Sequence, residues 1–521
     1  MSAFRRTLPA RADLEQQKKL AKELLASLRR GDPEARARVR AALPDKQRIG
    51  LTDAQFVLAR EYGFANWSAL KQRIKALDVE RLAPNERFRR AVRDGDAAAL
   101  RRLLPFREEL RGVVNAPSFG FDSPALVAVA GRGSVELVDA LLELGADPNR
   151  RSDWWAGGFA ALHAASGAVA DRLITAGAIP DACAAARIDR PDLLTAILAA
   201  DPGRVHERGG DGQTPLHFAR SRRVVDLLLD AGADPNAVDV DHRSTPAQWM
   251  IGDVEGPEES RLDLAKYLVE RGASADLFLA AALGLTSRAR AMLEADPSLL
   301  TLRTSQGEYG EKPPSSYHIY QWTIGPSMTP LQTAAKFKQR ETLEAMRAFA
   351  SVEQRLLLAC HEGNRDEAHA IVRANPSIVA GLTGADRRAL TDEAWTANAP
   401  AVELMLELGF DASAESVTGP TGGTALHCAA WEGSVPCVEA LLRYPAGLAL
   451  IEYRDSTYKG TPLNWCCHGS VNCGNPRVDH AEVARRLIAA GAHVPDEADA
   501  SEAVQAVLDA ASSRGAVRRA D

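Results

Sequence analysis

Apolar residues along this chain fall on one face of a helix again and again, in runs too short to close a core of their own. The plainest copies are LVDALLELGADPN at 137–149 and VVDLLLDAGADPN at 224–236. In both, Leu and Val recur at helical spacing up to a glycine, Gly145 or Gly232, where a left-handed backbone ends the helix. Weaker copies of that stop stand at Gly177, Gly272, Gly409 and Gly491. A start signal alternates with it: Thr214-Pro215-Leu216-His217, with echoes that open at Thr245, Thr329, Thr424 and Thr461. Thr supplies an N-cap, and Pro suits the first helical position, where its missing N–H would have no partner. The pattern therefore predicts short helix pairs repeated along the chain. A length of 521 residues is too great for one ordinary core. Units that pack only on their neighbours remove that difficulty.

TPLHFA, TALHCAAWEGS and GADPN are similar to the ankyrin repeat. The resemblance implies an all-α fold, a solenoid of stacked helix-turn-helix units over 85–513. It would hold roughly eleven to thirteen irregular units, with a divergent first one from Asn85 to Leu104 and a cap from Ser501 to Ser513. It also implies a non-catalytic scaffold for protein–protein interaction, with a protein or peptide partner on the concave face. The family positions just after the Ala-Ala pair of each first helix are Gly131 and Arg132, Lys336 and Phe337, and Trp431 and Glu432. His163, His217 and His427 occupy the family's structural histidine, leaving His242 and His318 without such a role. The units holding His163 and His217 are too short for full helices, which predicts a missing helical turn in each. Asp201-Pro202, Asp296-Pro297 and Asn375-Pro376 read as proline stops followed by longer, bent loops.

Residues 7–78 lie outside the repeat and predict a small helical N-terminal module: Leu14 to Arg30, Pro33 to Ala42, and a pair from Thr52 to Ala76 broken at Gly63. The segment resembles a helical module placed before ankyrin repeats in bacterial proteins. Charge sets it apart. Residues 1–82 carry 18 Lys and Arg against 10 Asp and Glu, an excess of 8 positive charges, so the net −6 of the whole chain leaves −14 for the rest. A DNA-binding regulator working through residues 51–76 is thus one alternative, with Lys71, Gln72 and Arg73 reaching the groove. Phe64, Trp67, Leu70 and Ile74 look like core instead, and nucleic acid is not the expected partner.

The strongest departure from repetition is an aromatic insert at 309–328, YGEKPPSSYHIYQWTIGPSM. Tyr317, His318, Tyr320 and Trp322 offer stacking surfaces and hydrogen-bonding groups to a partner. Two readings stay open: a small-molecule-binding or catalytic pocket built around the insert, or a segment that folds back over an irregular joint between units. Trp154 and Trp155 pose the same choice in another turn. Cys466, Cys467, His468, Cys473 and His480 bring zinc to mind, but adjacent cysteines point to different sides of a helix and no C-x-x-C pair is present. No metal site, cofactor or catalytic residue is expected, because strained-serine, phosphate-loop and His-Glu helix motifs are lacking. Seven scattered cysteines fit a reducing compartment. With no apolar stretch of membrane length and no apolar leader, the expectation is a cytoplasmic monomer without a membrane partner.

Overall fold

Thr-Pro starts and glycine stops do set the helices. Pro215, Pro246, Pro330 and Pro462 each occupy the first position of a helix. Gly145, Gly177, Gly232, Gly272, Gly409 and Gly491 all take positive φ, as the stops require. The computed structural model describes residues 4–9, 11–44, 46, 48–252, 261–310, 315–417, 421–475, 478–495 and 498–518. Among these residues the fold is all-α, with no β-strand. Glu311 to Pro314 of the insert lie outside them, as do Glu255 and Pro476.

The chain divides into two compact units, Met1–Trp154 with Phe159–Ile179, and Trp155–Gly158 with Pro180–Asp521. In the first, helices Leu14–Arg29, Pro33–Ala42, Leu51–Glu61 and Trp67–Glu80 form the N-terminal module. Asn66 Oδ1 accepts from the Ala69 N–H at 2.9 Å and starts the last of them. Leu70 and Ile74 are fully buried, with Phe64 and Trp67 packed beside them. Glu61, 3% exposed, receives Arg38 Nε and Nη2 at 2.7 and 2.9 Å, which neutralises a carboxylate that burial would otherwise penalise.

In the second unit consecutive helix pairs pack on one another, and the buried faces merge into extended apolar clusters, one running from Leu356 to Leu508. Shortened first helices are real: the unit of His217 has only Pro215–Phe218, against Ala425–Trp431 in the unit of His427. In the first unit the equivalent helix is a single 3-10 turn, Ala161–His163. The proline stops hold, with helices that end at Ala200, Ala295 and Ala374, but the loops expected after two of them are a correction. Asp201 and Asp296 do not open bent loops; each caps a further 3-10 helix, Pro202–His206 and Pro297–Thr301. Their carboxylates accept from Gly203 and Ser298 N–H at 3.0 and 2.9 Å, and the proline simply becomes the first residue of a new helix.

His217 and His427 join neighbouring repeats. The His217 Nδ1 accepts from the Thr214 N–H at 3.1 Å while Nε2–H donates to the Ser244 carbonyl at 3.0 Å. His427 repeats this with Thr424 at 3.3 Å and the Gly460 carbonyl at 3.1 Å. Both nitrogens are committed to the neutral ring, and burial drives the His217 pKa down to about 4. Between pH 6.5 and 4 the unfolded chain therefore takes up a proton that the folded chain refuses. The contribution of His217 to stability is complete above pH 6.5 and is lost as pH falls through that window, on the order of 3 kcal/mol in all. NMR titration of the imidazole should show His217 neutral down to about pH 4; a midpoint near 6.5 would contradict the relay.

Candidate binding site

Helices Ala389–Trp395 and Ala425–Trp431 occupy equivalent places in consecutive repeats, and each ends on a tryptophan. The two rings stack with centroids 6.5 Å apart and planes 22° apart. Trp465 meets Trp431 edge-on at 6.1 Å, and the His468 ring lies 5.3 Å from Trp431. Trp431, Trp465 and His468, with Tyr458, Lys459, Gly460 and Asn464, line a groove of about 520 Å³, and Trp395 stacks on Trp431. Its wall is fixed from behind. Trp465 Nε1 donates to Asp455 Oδ2 at 3.0 Å, and the same carboxylate accepts Thr457 and Gly460 N–H at 2.9 and 2.7 Å. His480 Nε2 donates to the Trp431 carbonyl at 2.8 Å. Glu432, next in sequence, is half-buried, and loss of solvent raises its pKa to about 7. Flat aromatic faces with a sparse polar rim suit an inserted side chain more than a catalytic step.

The insert folds back onto the repeats it interrupts. Tyr320 is fully buried, and its hydroxyl donates to Asp276 Oδ2 at 2.8 Å; Gln248 Nε2 donates to the same oxygen at 2.9 Å. Tyr309 packs edge-on against Phe278 at 4.9 Å, and Ile319, Ile324 and Met328 enter the same core. A polar cavity of about 560 Å³ remains beside it, lined by His242, Gln248, Asp276, Tyr309 and His318. Burial lowers the His318 pKa to about 4, so its ring is neutral at pH 7, and Nδ1 accepts the Tyr320 N–H at 3.2 Å. Such an imidazole is a weak base at neutral pH and offers a fixed stacking and hydrogen-bonding surface.

Several expected partner contacts are engaged elsewhere. Tyr320 and His318 are buried, because the insert supplies core and not surface. Arg132 Nη1 donates to the Val92 and Arg93 carbonyls at 2.8 and 3.1 Å and thereby caps the helix Pro84–Asp94. The Lys336 ammonium donates to the Ile324 carbonyl, and Phe337 is half-buried against the insert's core. Tyr317 and Trp322 are exposed, the latter by 64%. Of the expected residues, Trp431 lines the aromatic groove. Trp395, Tyr458, Trp465 and His468 were not anticipated. Trp395 and Trp431 stand one repeat apart, and that periodicity was the available signal. Elsewhere, Trp154 packs edge-on against Phe121 at 5.2 Å, while Trp155 is 45% exposed. The Cys466 thiol donates to the His480 carbonyl at 3.3 Å, and burial pushes the Cys467 thiol up to about 11.

Comparison with known proteins agrees with this architecture. The model of the family described as "Ankyrin repeat" matches residues 211–240 and 421–456. Human cyclin-dependent kinase 4 inhibitor B is 32% identical over 126 residues, covering 22% of this chain and 88% of that protein. The ANK repeat-containing protein nipk-1 of Caenorhabditis elegans is 30% identical over 175 residues, covering 31% of this chain. The chain spans only 24% of the length of that nematode relative. A crystal structure of the human ASB11 ankyrin repeat domain aligns at 16% identity and TM-score 0.29, over 46% of this chain and 98% of that one. The chain belongs to the ankyrin-repeat family, whose repeats generally mediate protein–protein interaction and are typically non-enzymatic. No helix among the described residues is long and apolar enough to cross a membrane.

The insert separates into structural and exposed halves. Tyr320→Phe, which removes a donor from the Asp276 carboxylate, is expected to cost about 1.5–3 kcal/mol. Trp322→Ala should stay within about 0.5 kcal/mol of wild type. Chemical-denaturation midpoints of the two variants check this, and equal midpoints would refute the division.

Proposed function

We propose that this protein binds an extended protein or peptide segment in the groove of Trp431, Tyr458 and Trp465, as a scaffold without catalytic activity. The observation that carries this reading is the aromatic surface itself. Trp431, backed by the stacked ring of Trp395, and Trp465, set edge-on and held by its bond to Asp455, face an open groove of about 520 Å³. Rigid aromatic side chains give much contact area for little loss of rotamer freedom, which is why they dominate binding energy at interfaces. Tyr458, 64% exposed, lines the groove with Lys459. The human relative's name, an inhibitor of a kinase, is consistent with action by binding another protein.

A second reading, a small polar ligand in the cavity of about 560 Å³ beside the insert, is favoured by the convergence of Gln248, Asp276 and His318 on it. The two readings separate by experiment. Peptides selected from a random library against the intact chain should lose affinity on the order of tenfold or more in Trp431→Ala, with little change in melting temperature. Selected peptides that bind this variant as well as wild type would move the site away from the groove. A thermal-shift response to a metabolite that His318→Ala abolishes would support the cavity.

A further inference from the structure

The turn tips of two consecutive repeats in the second unit meet at an acidic, buried point. Asp211 sits in a left-handed turn at φ 57°, and its carbonyl accepts the Val240 and Asp241 N–H groups at 2.9 and 3.2 Å. This ties the first tip to the second. Asp239, in the second tip, accepts the backbone N–H of His242 and of Ser244 and the Trp249 indole N–H, so its carboxylate is spent on shaping the turn. The turn then directs Asp241 and His242 toward Asp211. One ligating atom from each of Asp211, Asp241 and His242 lies within 4.8 Å of the others.

Two of these atoms are unsatisfied. Asp241 is 0% exposed and His242 is 7% exposed, yet Asp241 Oδ2 and His242 Nδ1 have no hydrogen-bond partner. They are 3.7 Å apart, too far to bond each other. A buried carboxylate oxygen and a buried imidazole nitrogen left so are costly, and a cation between them removes both costs at once. The separation suits zinc: two ligands about 2.1 Å from one ion and 3.7 Å apart subtend about 120°, nearer a tetrahedral than an octahedral angle. The other oxygen of Asp241 accepts the Ser316 N–H at 2.9 Å, the type of outer contact that orients a metal-binding carboxylate. His242 also packs edge-on against Trp249 at 4.9 Å, which holds the ring plane.

We propose that Asp211, Asp241 and His242 bind one divalent cation of the zinc class, which staples two successive repeat tips at the wall of the polar cavity. The other group of similar composition, Asp181, Cys183 and Glu207, differs in being already bonded to the protein. Asp181 caps the Ala184 N–H, Glu207 accepts the Ala182 and Cys183 N–H groups, and the Cys183 thiol donates to the Gln213 carbonyl.

The test uses the full chain freed of metal by a chelator, then titrated with zinc and, separately, with cobalt(II). One equivalent should bind, and the cobalt spectrum should lack thiolate charge-transfer bands because the ligands are nitrogen and oxygen. Asp241→Asn and His242→Gln should each abolish that equivalent at unchanged helical circular dichroism. No binding by wild type, unchanged stoichiometry in both variants, or thiolate bands would overturn the site. Should either variant unfold, the wild type decides alone: the His242 imidazole resonance must shift with the first equivalent of zinc, and a ring that does not respond refutes the proposal.

Discussion

Four joints within the second compact unit depend on one relay of hydrogen bonds that crosses from one repeat to another. At these four starts the side chain three residues after Thr turns back to take the Thr N–H, and its far end reaches a residue of a later repeat. His217 and His427 deliver a ring N–H to the Ser244 and Gly460 carbonyls. Gln performs the same task with different chemistry. Gln248 Oε1 takes the Thr245 N–H at 2.8 Å while Nε2 reaches Asp276, and Gln332 pairs Thr329 with Glu393 at 2.9 and 3.1 Å. Where His reaches a carbonyl, Gln reaches a carboxylate. The amide cannot titrate, so these two joints carry no histidine liability, but each leaves an acid to be satisfied inside the stack.

That obligation explains what surrounds the two acids. Glu393, 3% exposed, also receives His361 Nδ1 at 2.8 Å and Asn398 Nδ2 at 2.7 Å. Burial alone would lower the His361 pKa, and the Glu393 charge raises it instead, which favours the protonated imidazole beside the carboxylate. Asp276 is served by the Leu279 N–H and by the hydroxyl of Tyr320. The aromatic insert is thus part of the joint: it brings a donor to an acid that the Gln relay requires. The polar cavity is what remains between the joint and the returning loop, which is why its lining mixes relay residues with insert residues.

Legibility in the sequence followed how local each feature was. Caps and stops involve residues three or four apart, so Thr-Pro starts and left-handed glycines could be read directly, as could the four helices of the N-terminal module. The Asp-Pro pairs misled because a proline that ends one helix also begins another, and only the side chain of Asp201 or Asp296, turned onward to cap the new turn, decides which. Burial of Tyr320 was not legible, since its partner Asp276 is distant in sequence and the intervening turn geometry determines whether the loop returns. The aromatic groove was half legible. Trp431 stood out beside its Ala-Ala pair, whereas Trp465 reads as a core residue of its own helix and gains meaning only beside Trp431.

The groove and the acidic tips turn out to be two versions of one motif. Asp239 with Trp249 and Asp455 with Trp465 hold the same places in their units, and in both the indole N–H donates to the carboxylate that closes the tip, at 2.8 and 3.0 Å. What differs is the tip sequence that the carboxylate folds. In the first unit it presents Asp241 and His242; His242 packs edge-on against the half-buried Trp249 at 4.9 Å. In the second it presents Thr457 and Tyr458; Tyr458 stands 6.1 Å from Trp465 and leaves the groove open toward Trp431. The Asp–Trp bond closes both tips, and what differs is the pair of side chains that each tip presents, Asp241 and His242 in one and Thr457 and Tyr458 in the other. A repeat protein can diversify in this way without disturbing its stack, because the tip side chains change while the backbone bonds that join the units stay the same.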